Sequence, residues 1–191
     1  MKKFLLILLV LLTICIREEG VANMKKVVMI IAQDDFRDEE LLQPKEILER
    51  SGIEVKVAST SLSQAKGMLG AKVKPDILVS DINIIDFDAL VFVGGIGASC
   101  YWDDPLAHQL IQEAFNTNRI IAAICIAPVT LAKAGILKGK RATVFSSEAS
   151  QLKSAGANYT GRAVEKEGNI ITASGPSAAQ EFGQELVKAL Q

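Results

Sequence analysis

The stretch that most limits what this chain can become runs from Arg119 to Gly135, RIIAAICIAPVTLAKAG. Ile120–Ile124 is a continuous apolar run, the pattern of a parallel strand buried on both faces. Cys125 follows at once. Beyond Pro128 the apolar residues Val129, Leu131, Ala132 and Ala134 change to a helical period. Pro near the first turn and Gly135 just past the last are helix start and stop signals. The spacing therefore predicts a strand, a turn at Cys125 and a short helix, with almost no loop between them. This is the layout of a nucleophile elbow, which lifts a reactive side chain at the edge of a sheet. The helix N-terminus would direct N–H groups and positive dipole at the sulfur, favouring thiolate. The ordinary alternative is a cysteine that only packs; the strand–Cys–helix order favours the reactive one.

The remainder must supply a sheet around that strand. Apolar runs at Val27–Ala32, Ile53–Ser59 and Asp88–Val93 predict buried strands, with shorter ones at Ile77–Ser80, Arg141–Phe145 and Ile170–Ala173. Helices are expected from Leu41 to Ser51-Gly52, over Pro105–Asn116 and over Ala178–Leu190, the last with Phe182, Leu186, Val187 and Leu190 as its stripe. Asp34–Glu40 is expected as an acidic loop, and Thr60–Pro75 as a polar loop or small hairpin. Alternating strands and helices imply right-handed crossovers and a mostly parallel, doubly wound α/β sheet. Ligands of such sheets sit beyond the carboxyl ends of the strands. The loops Gln33–Glu40, Gly94–Trp102 and the Cys125 turn all leave strands at that edge, so topology brings them to one site.

Residues 1–23 are set apart from the 24–191 domain. Lys2 and Lys3, the apolar run Phe4–Ile14 and charged Arg17, Glu18 and Glu19 form a signal-like leader. Leu12-Thr13-Ile14-Cys15 is similar to a lipobox, and Gly20-Val21-Ala22 to a small-x-small cleavage site. Met24-Lys25-Lys26 equally suits a translation start. Export or anchoring through the leader and a cytoplasmic protein starting at Met24 both stay open; a membrane is expected only through residues 1–23. The net charge of -1 with interspersed signs shows no basic stripe, so no nucleic-acid partner is expected. Three widely spaced cysteines argue against a disulfide framework, and a single histidine against a His-rich metal site.

Around Cys125 the candidates are few. Glu39 and Glu40 begin the first helix, where carboxylates are favoured anyway; a carboxyl beside the thiol would instead be raised in pKa and move protons. Gly94-Gly95-Ile96-Gly97 fits neither a dinucleotide fingerprint nor a P-loop. It serves a tight turn, and with the Ile126 amide it can also face an oxyanion. His108 is expected to face solvent from the Pro105–Asn116 helix rather than serve as a base. Cys100 is either a packed thiol or an accessory, resolving cysteine.

Taken together, four segments resemble the ThiJ/PfpI family across Met24–Gln191. They are Asp38-Glu39-Glu40-Leu41 with Pro44 and Ser51-Gly52, the strand Asp88–Gly95, Ala122-Ala123-Ile124-Cys125-Ile126-Ala127-Pro128, and Val164–Ile170 with Thr172-Ala173-Ser174-Gly175-Pro176. The resemblance implies a flavodoxin-like three-layer sandwich and a homo-oligomer, usually a dimer. It implies Cys125 as nucleophile, Glu40 as its carboxyl partner, and Gly95 and Ile126 as oxyanion-hole amides. The protease-like branch carries His directly after the cysteine, where this chain has Ile126. The deglycase branch often carries a second His near the position of Phe145. The resemblance thus implies glyoxalase- or deglycase-like chemistry on a small aldehyde or glycated substrate, without metal or other cofactor. Oxidation of Cys125 as a stress-protein switch is the second reading. Peptidase or amidase activity, with His108 or a partner's residue as base, is the third.

Overall fold

The computed structural model describes residues 24–191; the leader, Cys15 and the two processing motifs lie outside them. Its first half runs β1 (Lys26–Ile30), β2 (Asp34–Phe36), α1 (Asp38–Arg50), β3 (Glu54–Ser59), β4 (Ala65–Gly67), β5 (Lys72–Val73), β6 (Ile77–Leu78) and β7 (Ala89–Phe92). The second half runs α2 (Pro105–Asn116), β8 (Ile120–Ile124), α3 (Pro128–Lys133), β9 (Arg141–Ala142), α4 (Ala149–Ser154), β10 (Asn158–Tyr159), β11 (Val164–Glu167), β12 (Ile170–Ala173) and α5 (Ala179–Leu190). Seven strands form the main sheet in the order β11-β12-β8-β7-β1-β3-β6. All neighbours are parallel except β11, which returns antiparallel on β12 through Gly168-Asn169. This is the expected α/β, flavodoxin-like sandwich.

Period-two alternation divides the core into two apolar layers. Val28 and Ile30 of β1 face one layer with Leu110, Ile111 and Ala114 of α2 and Leu131 of α3. Val27 and Met29 face the other, with Leu41 and Leu48 of α1 and Phe182 and Leu186 of α5. Phe182 and Leu186 are fully buried; each such side chain contributes about 1.5–3 kcal/mol of transfer free energy. Asp104 starts α2 by accepting the Ala107 N–H, with Pro105 at the first position.

Two expectations are corrected. Asp34–Glu40 is not a loop: Asp34–Phe36 is a strand, and α1 already begins at Asp38. Two forces order it. Phe36 is fully buried, and the Asp38 carboxylate accepts the N–H groups of Leu69 (2.9 Å) and Ala71 (2.7 Å). This pins the β4–β5 hairpin beside β2. Arg141–Phe145 also shortens to Arg141–Ala142, pairing with β10 outside the main sheet. Its remainder is held by other bonds, among them Phe145 N–H to the Cys125 carbonyl at 2.8 Å. Among the described residues, no helix is long and apolar enough to cross a membrane.

The order in which strands are laid down reverses between β1 and β7, which run parallel. From β1 the chain crosses to β3 on one side; from β7 it crosses to β8 on the other. Such a switch point leaves a crevice at the carboxyl ends of the strands.

Candidate active site

At that crevice β8 delivers Cys125. Its N–H is held by the Ala173 carbonyl of β12 at 2.9 Å. Its φ is +63°, a left-handed conformation for a residue with a Cβ, which costs of order 1–3 kcal/mol and concentrates at functional positions. The strained turn points the side chain up from the strand end and leads directly into α3. Cys125 is 8 % exposed and forms part of the wall of a cavity of about 470 Å³.

The second wall comes from the segment after β7. Gly95 has φ +100°, and a Cβ there would strike the backbone of Asp35, Phe36 and Arg37. A Cβ at Gly94 would strike both the Glu40 carboxylate and Cys125. Glycine therefore lets the two neighbouring loops close on each other, locked by Arg37 N–H to the Gly94 carbonyl at 2.9 Å. The N–H groups of Gly95 and Ile126 both face the Cys125 sulfur and favour its charged form. The two amides predicted as an oxyanion cradle thus share one target.

Glu39 and Glu40, equivalent in the sequence, separate in space. Glu39 turns outward and receives the Arg37 guanidinium at 2.8 and 3.1 Å. Glu40 turns inward and is fully buried beside Cys125. Neither of its carboxyl oxygens reaches a partner in hydrogen-bonding geometry. Burial pushes Glu40 up to about 7; the nearby Cys125 thiol and Arg37 charge pull the other way. Burial also pushes the thiol up to about 12, and the Glu40 charge adds to the rise against the two amides. The expectation of a depressed thiol pKa from the following helix is thus corrected: α3 has only six residues, and desolvation outweighs it. Above about pH 7 the pair holds a single negative charge, on Glu40, and a single proton, on the thiol.

His108 and Cys100 do not join the cavity wall. His108 is half-buried rather than solvent-facing, its Nε2 2.8 Å from the Trp102 carbonyl. Cys100 is exposed as a residue; partial burial of its thiol, then Asp104, raises its pKa. Other residues complete the wall: Arg37, Met68, Trp102, Phe145, Glu148 and Pro176 among them. Arg37 is foreseeable only as a charge near Glu40. Trp102 donates its indole N–H to the Ile126 carbonyl at 3.2 Å, tying the two loops together. Phe145 comes from a segment that folds back over Gly175, a juxtaposition no local pattern signals. A cavity of about 540 Å³ lies at the opposite edge of the sheet, around Asp88 and Arg119, away from Cys125. Among the described residues no cluster of His, Cys, Asp and Glu is arranged to hold a metal ion.

The profile of the DJ-1/PfpI family matches residues 25–189. Uncharacterized protein MJ0967 of Methanocaldococcus jannaschii is 46% identical over 174 residues, 88% of this chain and 85% of that protein. Deglycase PYRAB04690 of Pyrococcus abyssi is 30% identical over 164 residues, 86% of this chain and 99% of that one. Among solved structures, the ThiJ/PfpI domain protein of Brachyspira murdochii superposes with a TM-score of 0.85 at 34% identity, covering 87% of this chain and 96% of that one. With its elbow cysteine, buried glutamate and doubly wound sheet, the chain belongs to the DJ-1/PfpI family.

Proposed function

We propose that this protein converts α-oxoaldehydes to 2-hydroxy acids, with Cys125 as the nucleophile. The observation that carries the reading is the Cys125–Glu40 pair, with Glu40 fully buried and the sulfur at the wall of an open cavity, faced by two backbone amides. The relatives named deglycases agree with it. The carboxyl oxygens of Glu40 lack hydrogen-bond partners, whereas the sulfur is faced by the amides of Gly95 and Ile126. Burial nevertheless holds the thiol at about 12 and Glu40 at about 7, so the resting charge lies on Glu40, which takes the thiol proton as the sulfur attacks.

Thiolate attack on the aldehyde carbon forms a carbon–sulfur bond and places charge on the aldehyde oxygen. The Gly95 and Ile126 amides stabilise that charge, and Glu40 supplies the proton that completes a hemithioacetal. Glu40, now a carboxylate, takes the hydrogen from the former aldehyde carbon as a proton and returns one to the ketone carbon, while the hemithioacetal hydroxyl proton passes to the ketone oxygen. The aldehyde carbon is thereby oxidised to a thioester while the ketone is reduced to an alcohol. Water then cleaves the thioester, releasing the hydroxy acid and regenerating the thiol. The sum is one dicarbonyl plus one water giving one hydroxy acid, with no external oxidant. The chain's sole histidine is held at the Trp102 carbonyl, which disfavours the peptidase reading. Oxidation of Cys125 as a switch uses the same pair and is the second reading.

The test is lactate formation from methylglyoxal by reduced wild type, Cys125→Ser and Cys100→Ser. Wild type and Cys100→Ser produce lactate and Cys125→Ser does not. Folded, reduced wild type that consumes neither methylglyoxal nor a larger α-oxoaldehyde contradicts the reading and favours the switch.

A further inference from the structure

The cavity is larger and more apolar than a three-carbon dicarbonyl needs. Its volume of about 470 Å³ falls within the roughly 300–1,000 Å³ of pockets that enclose drug-sized molecules. Met68, Ile96, Trp102, Phe145 and Pro176 form its apolar faces. Ile96 and Phe145 are 67 % and 42 % exposed, large apolar groups held open to solvent at the mouth. Much of the polar lining is already engaged within the protein. Ser99 Oγ donates to the Ile96 carbonyl at 2.9 Å, and the Trp102 indole to the Ile126 carbonyl. The Glu148 carboxylate receives Ser147 Oγ on one oxygen and Gln151 Nε2 on the other. Arg37 is the exception. Glu39 engages Nε and Nη2, and Nη1 carries no bond among the described residues. A ligand entering here meets a thiol, two amides, one partly engaged guanidinium and an apolar wall.

We propose that this cavity selects α-oxoaldehydes bearing a bulky apolar substituent, aryl or branched alkyl, over methylglyoxal. The inference rests on the aldehyde reading above. The aldehyde carbon takes the sulfur, the adjacent ketone oxygen turns toward Arg37, and the substituent lies between Ile96, Trp102 and Phe145. The chemistry and its atom balance stay the same: phenylglyoxal plus water gives mandelate.

The experiment compares kcat/KM for phenylglyoxal and methylglyoxal in wild type, Ile96→Ser and Phe145→Ser. In parallel, alkylation of Cys125 by N-phenyliodoacetamide and by iodoacetamide is measured, each normalised to its rate with free cysteine. Phenylglyoxal is favoured by about 10-fold or more in wild type, the low end of what small apolar contacts discriminate. Either substitution shrinks that ratio roughly five-fold through lost apolar contact, and the phenyl reagent shows the same preference and the same loss. Turnover of both aldehydes with equal kcat/KM overturns the inference and leaves the aldehyde reading standing. Turnover of neither overturns the aldehyde reading and the substrate class with it. In that case the alkylation ratio still decides the cavity: a phenyl preference lost in the variants upholds the apolar ligand site, and equal rates overturn it.

Discussion

Replacing Glu40 with Gln removes a buried carboxyl while keeping its shape, and the consequence for stability can be worked out. Glu40 is fully buried without a satisfied oxygen, and burial raises its pKa from 4.5 to about 7. The folded state thus holds this proton more tightly than the unfolded state. With a raised folded pKa, the contribution to stability is complete below pH 4.5 and is lost as pH rises through about 7. At about 1.4 kcal/mol per pH unit, that interval amounts to about 3 kcal/mol. Which group carries the remaining proton does not alter the sign, because the number of protons on the Cys125–Glu40 pair sets the linkage. Gln does not titrate. Urea unfolding of reduced wild type and Glu40→Gln is therefore compared at steps from pH 4.5 to 8. The stability difference moves toward the Gln variant by about 3 kcal/mol across that range, whatever fixed cost the amide carries. Parallel profiles for the two proteins would refute a buried, raised carboxyl at this position.

Other consequences follow from the same geometry. Glu40→Gln removes the charge that raises the thiol and so speeds Cys125 alkylation by iodoacetamide at pH 8, yet loses about 10²–10⁴-fold in turnover; unchanged alkylation would place the charge of the native pair on the sulfur instead. His108→Ala leaves turnover within about two-fold of wild type, because His108 bonds the Trp102 carbonyl outside the cavity wall; a larger loss in kcat revives histidine as a base. Gly94→Ala places a methyl group against the Glu40 carboxylate, Cys125 and the Ile124 carbonyl. Its cost in urea unfolding is about 1–3 kcal/mol, that of an overpacked core, and an unchanged midpoint counts against the close packing of β7, β8 and α1.

The parts of the fold written as local periodicity were legible in the chain. β8, α2 and β12 occupy the ranges Ile120–Ile124, Pro105–Asn116 and Ile170–Ala173 that apolar runs and helix signals mark. Cys125 and the Gly95 turn were legible as well, since topology alone carries strand ends to one sheet edge. Asp34–Phe36 was not. Its order comes from burial of Phe36 and from a hairpin some thirty residues away fastened to Asp38. Glu39 and Glu40 could not be told apart from the residues alone, since facing Arg37 or facing the sulfur depends on the rotation of α1 against the sheet. The thiol pKa was misjudged for a related reason. Sequence shows a helix following the cysteine, but not how completely the cysteine is desolvated or that a carboxyl lies beside it. Trp102 ends a loop that topology already brings to this edge, whereas Phe145 reaches the cavity through long-range packing, where periodicity carries no information.

The most direct test of the account asks which atom bonds to the substrate. Wild-type protein is mixed with methylglyoxal, quenched in acid within a single turnover, and digested for mass spectrometry. A hydroxyacyl or hemithioacetal adduct on the peptide containing Cys125, rising and falling as lactate appears and absent from Cys125→Ser, is the predicted result. Lactate formed with no transient adduct on Cys125, or with the adduct on Cys100 instead, would contradict the assignment of Cys125 as nucleophile.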